Sequence, residues 1–396
     1  MFLMIFVNDL SGAGEIVPDW MVHFSERHRT GSGMTFVDLV FPAFVFIMGM
    51  SVPFALGAQL RRRGPRWKIL RGVLGRMLSL LVVGVLMVNE APDPVKTGCA
   101  AALWSTLMYL SALAAFGEIH PGGPAAPVTP CGRAISLILR LLGCVSLGVL
   151  AFVFVGPDGH RIITLAPFTL HHEWWGILGL IGWAYGVAVV VFLIFRGHRT
   201  ALLASAVLLL CLYPADQAGA FNGCWLASQV GFGATLGSQA AIAVGGVLLG
   251  TMLQSADIVS VAARVRFALW FIAGTALAAW LLQGLYGISK NSATPSWCLW
   301  ACAITAAVWL LFYWLADVGP GSPVTRILAV TGQNVLLAYL LSEMLPAALD
   351  LSGLGGWYAA LAGPTLFPAI ARSVVCAITL LGATVALNRA GFRLKI

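Results

Sequence analysis

The sequence predicts an all-α, polytopic integral membrane protein. Three observations predict it. Hydrophobic residues make up 60% of the chain and charged residues 10%, against about 25% charged in a soluble domain. The apolar residues gather into about 11–12 runs, most of them near the 20 or so residues that span a bilayer. The polar stretches between the runs are too short to fold alone, so residues 1–396 read as a single transmembrane domain.

Taken in order, residues 1–10 are apolar but too short to span. The first helix therefore reads as truncated, or Met1 as an internal methionine of a longer frame. The loop 11–34 carries Asp19, His23, Glu26, Arg27, His28 and Arg29. A second span covers 35–59 and is followed by Arg61, Arg62, Arg63, Arg66, Lys68 and Arg71. The third runs over 70–89. Spans at 99–117 and 134–156 flank a Pro/Gly-rich loop, and a polar loop with Asp158, His160, His171, His172 and Glu173 follows. Spans at 175–195 and 200–214 meet at Arg196-Gly197-His198-Arg199. Residues 215–234 are too polar to face lipid and read as re-entrant or as a long outer loop. Spans at 236–254, 267–287, 297–315, 325–345 and 368–387 complete the set.

Lysine and arginine concentrate in loops after even-numbered spans and in the tail. Such residues mark the cytoplasmic side, so the C-terminus is expected in the cytoplasm and the His28 loop outside. This bias explains a pI near 9.3 without nucleic acid. No basic n-region of a signal peptide is present. The eight cysteines form no CxxC pair and read as small buried hydrophobes; no metal is expected. Gly245, Gly246 and Gly250 have the spacing of close helix packing.

The stretch from His28 to Ser51 carries the chemistry. A carboxylate at the mouth of an apolar helix, Asp38, is costly unless paired or wetted. Pro42 follows one turn later and predicts a kink. Histidine titrates near neutral pH and suits proton transfer. His28 is thus a candidate base, Asp38 or Glu26 an orienting acid, and Asn8 an oxyanion donor. The bland alternative makes His28 a solvated loop side chain. His23 reads as interfacial packing. The arginines Arg61, Arg63 and Arg66 suit phosphates, although the charge bias alone accounts for them. Trp174, after His171-His172-Glu173, reads first as an interface anchor.

Val7-Asn8, His28 and the run Gly33-Met34-Thr35-Phe36-Val37-Asp38-Leu39-Val40-Phe41-Pro42-Ala43-Phe44-Val45-Phe46-Ile47-Met48-Gly49-Met50-Ser51 resemble the heparan-α-glucosaminide N-acetyltransferase family and its bacterial relatives. The resemblance is sharp over the first 50 residues, with weaker echoes at Val88-Asn89, Gly176 to Tyr185, Gly245 to Gly250 and Gln333-Asn334. It implies transfer of an acetyl group from acetyl-CoA on the cytoplasmic side to an amino sugar across a bacterial inner membrane. The family's active-site histidine falls on His28, its asparagine on Asn8 and its aspartate on Asp38. The family's Trp-Asn-Gly is Gly31-Ser32-Gly33 here, so a stacking ring and an amide are missing. Glu343 is expected to line an acceptor cavity and Asn334 the acyl-donor passage, with Trp174 a candidate sugar platform. A homodimer stays open. The rivals are a transporter or flippase using His28 and Asp38 as a proton relay, and an inactive scaffold. A transporter predicts matching halves, which the sequence does not display.

Overall fold

The structure, a computed structural model, describes residues 1–396 apart from 28–30, 62–64, 90, 120–129, 166–167, 172–173, 256, 320–324, 326–328 and 395–396. Among the described residues ten helices are long and apolar enough to cross a membrane, and two further apolar helices are shorter. The protein is therefore a multi-pass helical membrane protein, as the apolar runs predict. In chain order the twelve are α1 (Phe2–Ser11), α2 (Val40–Arg61), α3 (Arg66–Val88), α4 (Ala101–Phe116), α5 (Pro130–Val153), α6 (Gly176–Phe195), α7 (Arg199–Gln217), α8 (Ala240–Leu253), α9 (Val261–Tyr286), α10 (Pro295–Tyr313), α11 (Val335–Leu351) and α12 (Leu366–Arg389). Wide π turns, Phe232–Gln239 and Trp314–Val318, lead into α8 and out of α10. The four strands are short: β1 (Gly117–Ile119), β2 (Ile163–Leu165), β3 (Phe168–Leu170) and β4 (Phe392–Leu394).

The contacts group the chain into two compact units. Unit 1 comprises 1–18, 82–176 and 326–396; unit 2 comprises 19–81 and 177–325.

Unit 2 is built on α8, whose residues 240–252 are all buried. A helix this apolar and enclosed is a core element, not a lipid-facing one. Glycine lets α2 approach it to backbone contact. A Cβ at Gly246 would strike the carbonyl of Phe46, one at Gly49 the carbonyl of Ala243, and one at Gly250 would stand 2.5 Å from the carbonyl of Met50. The predicted small-residue packing is thus confirmed. Gly246→Val is expected to force α2 and α8 apart and cost at least the 1–3 kcal/mol usual for overpacking. Gly274 on α9 has open space around it. Gly274→Ala, gaining roughly 0.5–1 kcal/mol of helix propensity, is the control. Thermal melting followed by size-exclusion chromatography reads both; equal melting temperatures would refute the packing role.

Pro42 lies in the first turn of α2. Its missing N–H has no helical acceptor to lose there, so the predicted kink has no cause at that residue. The interior proline of α2 is Pro53.

In unit 1, α1 packs on α12 and α4 lies against α5 and α11. β1 pairs antiparallel with β4, Glu118 opposite Arg393. The segment after α4 and the C-terminal tail therefore lie at one end of the unit. Likewise, the predicted outer loops after α3 and α5 meet where Asp93 N–H donates to Val155 at 2.8 Å.

Candidate functional sites of the two units

Unit 2 places Asp38 in a single turn, Val37–Leu39, just ahead of α2. Its side chain is 2% exposed. A carboxylate this buried is costly without donors, and the loop before it supplies them. His23 Nδ1 lies 2.7 Å from Oδ1. The N–H groups of Phe24 and Thr35 donate to Oδ2 at 3.1 and 3.0 Å. The Thr35 hydroxyl spends its one proton on the carbonyl of Val22 at 2.7 Å. Both ends of the segment 23–35 are therefore drawn to one carboxylate, and the intervening His28 lies outside the described residues. Gly33 passes so close to the Phe24 ring that a Cβ would clash, and its N–H donates to Ile288 at 2.9 Å. Ser32, standing where the family has its amide, accepts from Ile288 N–H at 2.6 Å.

These bonds bring the α9–α10 loop to the same place. Lys290 Nζ lies 3.1 Å from His23 Nδ1 and 3.3 Å from Nε2. Burial pushes its ammonium below the usual lysine range, although Asp38 and Glu26 pull the other way.

Unit 1 gathers a different set. Asn8, near the end of α1, donates through Nδ2 to Glu343 Oε1 at 2.8 Å. Its neighbour Asp9 accepts from Tyr358 Oη at 2.6 Å, Ser373 Oγ at 2.6 Å and Arg372 Nε at 3.1 Å. Arg372 Nη2 also holds the Asp9 carbonyl at 2.7 Å, and its guanidinium lies 4.9 Å from the Tyr358 ring centre. Burial and then the Asp9 bond push the Tyr358 hydroxyl up from its ordinary value. Asn8, Asp9, Glu343, Asp350, Tyr358 and Arg372 line a cavity of about 430 Å³.

The remaining sequence candidates are placed as follows. Arg61 ends α2, exposed, and Arg66 opens α3, while Arg63 lies outside the described residues. Trp174 is 46% exposed, just before α6. Asn334 stands at the start of α11, and both ends of its amide serve β4, bonding Phe392 O at 3.3 Å and Leu394 N at 3.4 Å. Asn8 and Glu343, predicted separately, meet. His23, read from sequence as packing, is the described histidine that Asp38 holds. Sequence reasoning missed Lys290 and Arg372. Arg372 had a signal: a lone cation inside an apolar run is expensive and implies a buried partner.

A many-helix membrane fold carrying a buried acid–histidine pair in one unit and a carboxylate- and amide-lined cavity in the other defines a membrane protein with two polar centres, not a plain anchor. Over its N-terminal segment its resemblance is to the heparan-alpha-glucosaminide N-acetyltransferase family. Residues 1–92 match the family described as Domain of unknown function (DUF5009). The heparan-alpha-glucosaminide N-acetyltransferase of Mus musculus is 36% identical over 89 residues, 22% of this chain and 12% of that protein. The Homo sapiens enzyme is 34% identical over the same length and shares. The matched segment carries Asn8, His23, His28 and Asp38, and it spans about an eighth of the length of these relatives.

Proposed function

We propose that the chain is a membrane acyltransferase that moves an acetyl group from acetyl-CoA on the cytoplasmic side to an amine or hydroxyl of a sugar at the outer face of a bacterial inner membrane. The observation that supports it best is the N-terminal similarity to the two acetyltransferases.

In this reading His28 is the general base, removing the acceptor's proton as its nitrogen or oxygen attacks the acetyl carbonyl. Asp38 does not act on the acceptor; it fixes the loop that carries His28. Asn8 keeps one amide proton on Glu343 and has a second to offer an oxyanion. Glu343 lines the acceptor cavity, with Trp174 as a sugar platform. Arg61, Arg63 and Arg66 meet the phosphates of coenzyme A, which suit arginine forks.

Proteoliposomes test the reading in one assay. Labelled acetyl-CoA is supplied on the side of the C-terminus, and glucosamine on the other. Acetylated amino sugar on the far side is the expected product. Uptake of unmodified sugar with no acetyl transfer would instead favour the transporter.

A further inference from the structure

Lys290 stands in a chemical order that its role as a counter-ion does not require. The bond from His23 to Asp38 Oδ1 needs a proton on Nδ1. A neutral ring then carries its lone pair on Nε2. Lys290 Nζ lies 3.3 Å from that nitrogen and 3.1 Å from Nδ1, beside both rather than in line with the lone pair, so the amine has to swing toward Nε2 to hand it a proton. Carboxylate, imidazole and nucleophile in this sequence are the parts of an acyl-transfer triad: the acid fixes the tautomer, the ring takes the proton, and the third group attacks. Here the third group is an amine. The loop that carries it is held in place, since Ile288 bonds both Ser32 and Gly33 and Ser289 N–H donates to Thr294 Oγ1 at 3.1 Å. Lys290 is partly exposed, so a small reagent can reach it.

We propose that Lys290 is a nucleophilic amine site that captures acyl groups from activated esters and thioesters, with His23 as its base and Asp38 positioning His23. The Nζ lone pair attacks the carbonyl carbon and a nitrogen–carbon bond forms. The carbon–oxygen or carbon–sulfur bond to the leaving group breaks, and the leaving group departs with the electron pair. The surplus amine proton passes to His23 Nε2 and from there to water. The product is a neutral amide, which no longer takes up a proton.

Among the described residues, the titratable groups that bear on Lys290 are His23, Asp38 and Glu26. Burial favours the free amine, the form that attacks. A lysine that merely balanced the two acids would stay an ammonium and react more slowly than an ordinary surface lysine. Lys68 is that reference, an exposed side chain in the first turn of α3. The two readings thus predict opposite orders of reactivity.

The experiment uses the full-length protein in detergent micelles with limiting p-nitrophenyl acetate near neutral pH. Acetylation of peptides containing Lys290 and Lys68 is followed by mass spectrometry. Lys290 is expected to react about 10-fold or more faster than Lys68, and to reach its plateau rate at lower pH, since a desolvated amine loses its proton earlier. His23→Gln, checked for folding by size-exclusion chromatography, should slow Lys290 by about 10² or more, the lower end of what a positioned base contributes, and leave Lys68 unchanged. A Lys290 rate at or below that of Lys68 overturns the proposal, as does a folded His23→Gln protein with an unaltered rate. Where His23→Gln does not fold, the wild-type comparison of rate and pH profile decides alone. The probe contains no coenzyme A, so its failure would leave the acetyl-CoA reading standing.

Discussion

His28→Ala is expected to yield a folded protein whose acetyl transfer is slower by about 10²–10⁴, the usual worth of general acid–base catalysis. The fold should survive because Asp38 anchors the segment through His23, Phe24 and Thr35. His28→Gln should be nearly as slow, because an amide bonds but does not accept the proton. Asp38→Asn is predicted to behave differently. Its new NH2 would face either the N–H groups of Phe24 and Thr35, donor against donor, or His23, whose ring must then give up its Nδ1 proton. Either way the charge-assisted bonds are lost, so the loop itself should loosen. Activity and thermal stability should then fall together, whereas His28→Ala separates them. The sequence alone would make His23 the mild control; its contacts with Asp38 and Lys290 disqualify it. His198, in the α6–α7 turn, replaces it. The measurement is acetyl transfer to an amino sugar, alongside melting temperature. A His28→Ala protein with wild-type turnover would sink the assignment.

What the sequence conveyed and what it withheld have different physical origins. The spans were legible because an apolar run of bilayer length has few alternatives. Close packing at α8 was legible because glycines near one another on a helix admit another backbone; that the partner is α2 was not. Asp38 was legible as a costly buried charge. Its histidine partner was not, because loop closure chooses the contact and no helical or strand period runs through residues 23–35. The sequence reading set Asp38 beside His28 and took His23 for packing; among the described residues the histidine bonded to Asp38 is His23. The Asp9–Arg372 pair lies 363 positions apart, joining the first helix to the last. No local pattern reports such a contact, though Arg372, unpaired in its own apolar run, announced that some acid had to meet it.

That pair carries the largest expected effect on stability. Arg372 and Asp9 have side chains only 6% and 11% exposed. Arg372→Met fills most of the space but leaves the Asp9 carboxylate with two hydroxyl donors and no countercharge. Breaking one side of a buried pair costs about 3–5 kcal/mol, so a large drop in melting temperature is expected. The loss should reach the candidate site as well, because Arg372 Nη2 holds the Asp9 carbonyl and Asn8 precedes it on the same turn of α1. Adding Asp9→Asn to Arg372→Met distinguishes charge from shape. Tyr358 and Ser373 hold different carboxylate oxygens, so the amide oxygen still accepts from one hydroxyl, the new NH2 donates to the other, and no buried charge remains. Replacing both members of a buried pair is often neutral, so the double variant should recover most of the stability and, with α1 reseated, the acetyl transfer. Asp9→Leu with Arg372→Met should recover less, since the Tyr358 and Ser373 hydroxyls would lose their acceptor at about 1–3 kcal/mol each. A single variant that melts with the wild type, or an Asn/Met double no better than the single, would show that the pair does not hold α1 to α12.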